Sequence, residues 1–203
     1  MKKWTTEDAY KVLKKDPVMK KIVQSTGELM HGKHTNVYYS MLRSIASQQL
    51  SVKAADTIFN RFLDLFPERN PLPAKVIKID IEKLRASGLS YSKSQYLKNI
   101  AEFSGTHGLD YKILNKLDDH ELITYLTQIK GVGRWTAEMI LMFTMNRSDV
   151  LPVDDLGIRN AMKYHYKIKS EGKKLLLEME EVSQMWRPYR TLACRHLWRY
   201  KDQ

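Results

Sequence analysis

The chain predicts an all-α fold, a two-lobed bundle of about ten short helices. Three observations carry this expectation. Apolar residues recur at spacings of three and four nearly throughout, the period of one helix face. Sustained two-residue alternation, the mark of a half-buried strand, is almost absent. The glycines and prolines fall at the ends of the periodic segments, where they start or stop helices. With 203 residues, 43% of them hydrophobic, the chain can bury the core of one large domain or two small lobes.

The elements follow in order. "TTEDAYKVLKKD" offers Thr5 or Thr6 as a cap, acids in the first turn and a stop at Pro17. Asp16-Pro17 then caps and starts a second helix that ends near Gly27. "TNVYYSMLRSIAS" gathers Val37, Met41, Leu42 and Ile45 on one face. "SVKAADTIFNRFLDLFP" opens on Ser51, keeps Val52, Ala55, Phe59, Phe62 and Leu63 near one side, and ends at Pro67. "KIDIEKLRASG" and "SKSQYLKNIAEF" form two shorter helices with Gly88 between them. In "DDHELITYLTQI", Asp118 stands three residues before Glu121, the spacing of a capping box. "RWTAEMILMFTM" is the next helix. "DVLPVDDLGIRNAM" runs from extended chain into a helix, and the last segment gives two helices broken near Pro188. A middle lobe of about residues 40–150 would hold a hairpin at 126–144, and the N-terminal helices would join 155–203 in the other lobe.

A net charge of +11 calls for a polyanionic partner, most often nucleic acid. No apolar run has the length needed to cross a bilayer, so no membrane partner is expected. Lys2 and Lys3 precede an acidic, polar stretch where a signal peptide would be apolar, so a cytoplasmic (nucleoid) or nuclear location is expected, not a secreted one. The single cysteine, Cys194, excludes an intramolecular disulfide, an iron–sulfur cluster and a cysteine-based zinc site, and reads as a small buried residue. His165 and His196 have no ligand-spaced partners and read as non-metal residues; Tyr38, Trp186 and Tyr189 read as core packing.

"IKGVGRWTAEMI" is the densest local signal. A helix ends near Ile129 and another starts near Arg134. Gly131 and Gly133 open backbone conformations closed to other residues and leave no side chain in the way. The first-turn amides of the new helix point outward with the helix dipole behind them, a ready seat for a phosphate oxygen. Val132 would plug the turn into the core, while Lys130 and Arg134 add positive charge. A tight corner between helices would explain the glycines alone; it would not explain the flanking cations on a basic chain.

"LTQIKGVGRWTAEMILMF" resembles the helix–hairpin–helix of the DNA glycosylase superfamily that carries a Gly/Pro-rich loop and a catalytic aspartate. "LPVDDLGIRNAM" resembles that loop, "SIASQQLSVKAADTIFNRF" the helix–loop–helix that wedges into DNA, "LRASGLSYSKSQYLKNIA" the family's middle region, and "WRPYRTLACRHLWRY" the closing helices of the alkylpurine branch. The likeness runs over residues 5–200 in the family's order and is closest to the 3-methyladenine DNA glycosylase II type. It implies a two-lobed all-α bundle with a helix–hairpin–helix DNA-binding motif, acting as a monomer on double-stranded DNA with alkylated bases.

The resemblance places the catalytic carboxylate at Asp155, with Asp154 as the alternative because "LPVDD" is one residue longer than the loop of the closest branch. Adjacent residues cannot face the same way on a helix, so one aspartate is expected to cap and the other to face a cleft. Breaking a purine–sugar bond builds positive charge on the sugar, which an ionised carboxylate stabilises. A base alkylated at N3 or N7 is already cationic and leaves without a general acid, and no second carboxylate stands out for that role. Trp135 occupies the position of the attacking lysine in bifunctional members, so base removal without strand cleavage is implied. The family's flipped-base mechanism implies a wedge among Gln48, Gln49 and Leu50, with Gln49 preferred, and a pocket formed by Trp135, Met139 and Trp198, whose aromatic faces would stack on a cationic base. Met139 departs from the aromatic residue usual in the closest branch. The resemblance implies no cofactor beyond a structural Na+ or K+ on the backbone carbonyls of Thr127, Ile129 and Gly131. Three rivals remain: the same fold acting on deaminated or oxidised purines, a non-catalytic helix–hairpin–helix DNA-binding protein, and an all-α scaffold whose basic surface is incidental.

Overall fold

The computed structural model describes residues 4–29 and 36–201; Lys2 and Lys3 lie outside them. The all-α expectation holds, with thirteen α-helices and no strand among the described residues. In chain order the helices are α1 (Thr6–Leu13), α2 (Pro17–Thr26), α3 (Val37–Ser47), α4 (Val52–Asp64), α5 (Pro73–Lys78), α6 (Ile81–Ala86) and α7 (Tyr91–Thr106). There follow α8 (Tyr111–Leu114), α9 (Asp119–Leu126), α10 (Arg134–Met139), α11 (Leu156–Tyr166), α12 (Gly172–Ser183) and α13 (Arg190–Lys201). No helix among the described residues is long and apolar enough to cross a membrane.

The caps read from sequence form as local hydrogen bonds. Thr5 accepts from the Asp8 amide, Asp16 from those of Val18 and Met19, and Ser51 from that of Ala54. Asp118 and Glu121 make both bonds of the capping box, each at 2.8 Å. Three expectations need correction. The segment from Lys78 is not one helix: Asp80 accepts from the Glu82 amide at 2.7 Å, so its side chain competes for the backbone, ends α5 two residues earlier and starts α6. The short α5 and α8 were not anticipated, because four to six residues hold too few turns to show a period. Val52 lies outside the apolar face of α4, at 79% exposure, because it is the first residue of the helix and nothing in the described chain covers it.

The chain folds as two compact units. One combines Met1–Lys33 with Asn146–Gln203, the other is His34–Met145. In the first unit Leu13, Met19, Ile22, Met162, Met179, Trp186 and Leu197 form the core, and Cys194 is buried among them. Among the described residues of this unit, Asp16 is the deeply buried carboxylate, and it is held by four donors: the two α2 amides on Oδ1, and the Tyr166 hydroxyl (2.5 Å) and Trp186 Nε1 (2.9 Å) on Oδ2. That full set of partners offsets the cost of burying the charge. In the second unit the rings of Phe59, Phe62 and Phe66 stack and tilt against one another at 5.7 and 5.1 Å, beneath Ile45, Leu97 and Ile100. Tyr38 is buried there as expected and donates to the Pro71 carbonyl at 2.9 Å.

Candidate active site

In the first unit, the loop before α11 turns tightly: Val153 N–H donates to Leu151 O and Asp155 N–H to Pro152 O, each at 3.0 Å. The two aspartates then part company. Asp154 is exposed and paired with Arg159 Nη2 at 2.6 Å, while Arg159 Nε reaches back to the Val153 carbonyl at 2.6 Å. Asp155 is half-buried at the N-cap of α11. Its Oδ1 accepts from the Ile158 amide at 2.8 Å and from Trp198 Nε1 at 2.9 Å. The cap and the candidate catalytic group are therefore one residue, which corrects the expected division of labour. The reason is geometric: the helix starts at Leu156, so only Asp155 sits where a side chain can reach the first-turn amides.

Gly157 is a site residue that the sequence reading missed. A Cβ built on it would come within 3.0 Å of Asp155 Oδ1 and 3.1 Å of Trp198 Cδ1 and Nε1. The missing side chain is what lets the indole approach the carboxylate. Trp198 was expected as a stacking wall; here its N–H fixes the rotamer of Asp155. It lies in the other unit from Trp135.

In the second unit, the hairpin between α9 and α10 keeps the predicted form. Val132 is buried and its amide donates to Ile129 O at 2.9 Å. Gly131 has φ +100°, and a Cβ there would fall 2.2 Å from Tyr96 Cγ, so both backbone and packing demand glycine. Gly133 departs from the expectation: its φ of −88° is open to any residue, so no glycine-only backbone is needed there, and a Cβ would meet nothing within 4 Å, which leaves open space at the N-cap of α10. Lys130 is exposed, and Asn99 Nδ2 anchors its carbonyl at 3.0 Å. Arg134, expected beside Lys130 as a phosphate cation, instead directs Nε to the buried carboxylate of Glu138 at 2.9 Å, one turn along α10. Its positive charge is partly compensated.

Trp135 (37% exposed) and Met139 do come together. They line a cleft of about 460 Å³ with Tyr39, Arg43, Ser47 and Phe143. Phe143 was not foreseen: it belongs to a π-helical turn, Ile140–Thr144, that continues α10. Such a turn is invisible in "ILMFT", where nearly every residue is apolar. Arg43 is oriented by Asp56 at 2.7 Å and lies 5.7 Å over the Phe59 ring. At the edge of this cleft, Gln48 ends α3 and its Nε2 donates to Thr136 Oγ1 on α10 at 3.2 Å. Gln49 takes a left-handed conformation, φ 58°, and is exposed with Leu50. Lys93, also missed, donates from Nζ to the carbonyls of Ala46 (3.0 Å) and Gln48 (2.8 Å). Partial burial lowers its pKa from the ordinary lysine value.

Comparison with known proteins places this arrangement. A model of the HhH-GPD superfamily of base excision DNA repair proteins matches residues 42–188. The chain is similar to DNA-3-methyladenine glycosylase 1 of Schizosaccharomyces pombe, 42% identical over 80% of this chain and 71% of that protein. Among solved structures it resembles the S. pombe 3-methyladenine DNA glycosylase in complex with abasic DNA, at 36% identity, TM-score 0.86 and 97% coverage of both chains. It also resembles a DNA-3-methyladenine glycosidase from Bacillus halodurans, at 34% identity, TM-score 0.81, and 98% and 91% coverage. The aspartate loop, the glycine hairpin and the exposed glutamine turn thus stand within a shared all-α frame, and the chain belongs to the HhH-GPD superfamily of base excision DNA repair proteins.

Proposed function

We propose that the protein is a monofunctional DNA glycosylase that excises alkylated purines, 3-methyladenine and 7-methylguanine, from double-stranded DNA. The single observation that carries the mechanism is the half-buried carboxylate of Asp155, fixed by Ile158 N–H and Trp198 Nε1–H while its neighbour Asp154 is tied to Arg159. A carboxylate held in one rotamer stabilises the oxocarbenium-like sugar as the glycosidic bond lengthens, and orients the water that attacks C1′. The cationic base departs without protonation. Trp135 stands where bifunctional relatives place an amine, so the abasic strand is left intact.

Unstacking and extrusion of the nucleotide fall to the turn at Gln48, Gln49 and Leu50, with exposed Gln49 at its tip. The extruded base is received by the aromatic cleft of Trp135 and Met139. The hairpin amides and Lys130 hold the phosphate. The carbonyls of Thr127, Ile129 and Gly131 are hard oxygen donors suited to Na+ or K+. Such an ion would add positive charge beneath the backbone.

The test is release of free base from methylated duplex DNA, resolved by chromatography, with alkali treatment to score abasic sites. Wild type should release 3-methyladenine or 7-methylguanine without strand cleavage before alkali. Asp155→Asn should bind DNA as wild type does and lose excision by a factor of about 10² or more. Full activity in Asp155→Asn would transfer the role to Asp154. DNA binding without base release in the wild type would leave the other lesions, or a binding module.

A further inference from the structure

Three observations converge on the turn between α3 and α4. First, α3 ends at Ser47: the Gln48 amide closes on Ile45 O and the Leu50 amide on Ser47 O, each at 3.3 Å, so the backbone has already begun to turn away from the helix at Ala46. Second, the ammonium of Lys93, on α7, bonds Ala46 O in the last turn of α3 at 3.0 Å and Gln48 O, just beyond the helix, at 2.8 Å. A cation at a helix C-terminus also gains from the dipole. Third, the next residue, Gln49, holds φ 58°, a conformation that costs a non-glycine residue free energy and persists only where its surroundings impose it. The carbonyl that Lys93 grips at Gln48 begins the peptide bond leading into that residue.

We infer that Lys93 is a positioning residue for base extrusion: its two hydrogen bonds hold the Gln49–Leu50 turn in the shape that enters the duplex, although Lys93 itself touches no base. The inference rests on the wedge reading proposed above. Gln48 takes part from the other side. Its backbone is clamped by Lys93 and its side chain by Thr136 on α10, the helix that carries Trp135. The turn is thereby tied to the helix that lines the aromatic cleft.

A residue that serves extrusion matters in proportion to what extrusion costs. A paired lesion must be unstacked and unpaired; an unpaired one is extruded at little cost. The experiment compares single-turnover excision of one methylated purine placed in a matched duplex and in an unpaired bulge, for wild type, Lys93→Met and Lys93→Arg. Lys93→Met should lose roughly tenfold or more on the matched duplex and much less on the bulge. Lys93→Arg, which keeps charge and donors, should recover a large part of the loss. Equal losses on both substrates, or none on either, would overturn the assignment. Thermal unfolding of each variant separates misfolding from misplacement.

A second readout does not depend on catalysis. A 2-aminopurine beside an abasic-site analogue should brighten on binding wild type and much less on binding Lys93→Met at saturating protein. If wild type released no base, the glycosylase reading would fall while this fluorescence difference would still decide the role of Lys93. Equal brightening by both proteins would sink it.

Discussion

Asp155 and Asp154 are neighbours of one type, yet the structure gives them different work. Arg159 draws Asp154 to the surface, and the start of α11 draws Asp155 inward to Trp198. The sequence could narrow the choice to this pair; the partners that separate them come from Arg159, five residues beyond Asp154, and from the last helix. His196 shows a different case, one whose burial the sequence does not reveal. Its Nδ1 lies 2.6 Å from Thr26 Oγ1, whose hydroxyl donates to Ile22 O at 2.7 Å, so Nδ1 carries the proton. The ring is fully buried, beside Tyr10 of α1 and near Arg195 and Arg199 of its own helix. Burial first, then the two arginines, lower its pKa to about 4. Between that value and the unfolded value near 6.5, the unfolded chain binds the extra proton, so stability falls as pH drops through this window, by up to about 3 kcal/mol. Denaturant unfolding at pH 7 and pH 4.5 checks this. His196→Asn should be less stable than wild type at pH 7 but lose less between the two pH values. An equal pH-dependent loss in both proteins would assign it to other groups.

At the scale of elements, caps were legible because each is a short-range bond between residues two or three apart. The π turn at Ile140–Thr144 was not, since its signature is an Ile140 O bond from Met145 N, in a run where every register looks apolar. Its effect is specific. Four residues overshoot one α-turn slightly, whereas a turn closed five residues on is wider, and four residues fall short of it. The drift from Trp135 to Met139 is thus reversed on the way to Phe143, and all three line one cleft. Phe143 supplies an aromatic wall one turn beyond Met139. Phe143→Ala should therefore lower kcat/KM for cationic purines by about three- to tenfold, as expected for one lost aromatic contact. Because Phe143 is 46% exposed, the melting temperature should hardly move. Unchanged kinetics would mean that the base does not reach this turn.

For the whole molecule, net charge and helical period were readable at once, and they bounded the protein to an all-α fold with a polyanionic partner. What they could not show was which cations are committed inside the fold. Arg134 binds Glu138, Arg187 and Arg190 both bind Asp149, and Lys93 binds carbonyls, so these cations are held in place by the fold, while the net surplus, which already counts the acids, is unchanged by the pairing. Lys130 remains exposed at the hairpin. Affinity for undamaged duplex should fall linearly in a plot of log K against log salt, and Lys130→Ala should reduce the slope by about 1. A slope unaffected by that change would remove Lys130 from the phosphate contacts.

The division into units also has a consequence in time. The unit that holds the Gln48–Leu50 turn and the hairpin, His34–Met145, is one uninterrupted stretch, whereas the unit that holds Asp155 joins two stretches, Met1–Lys33 and Asn146–Gln203. During synthesis the first helices must wait for more than a hundred further residues, several seconds at ribosomal rates, before α11 and α13 exist to cover them. The stretch proposed to grip DNA can thus be complete on the ribosome while Asp155 still lacks the indole of Trp198, which comes only with α13.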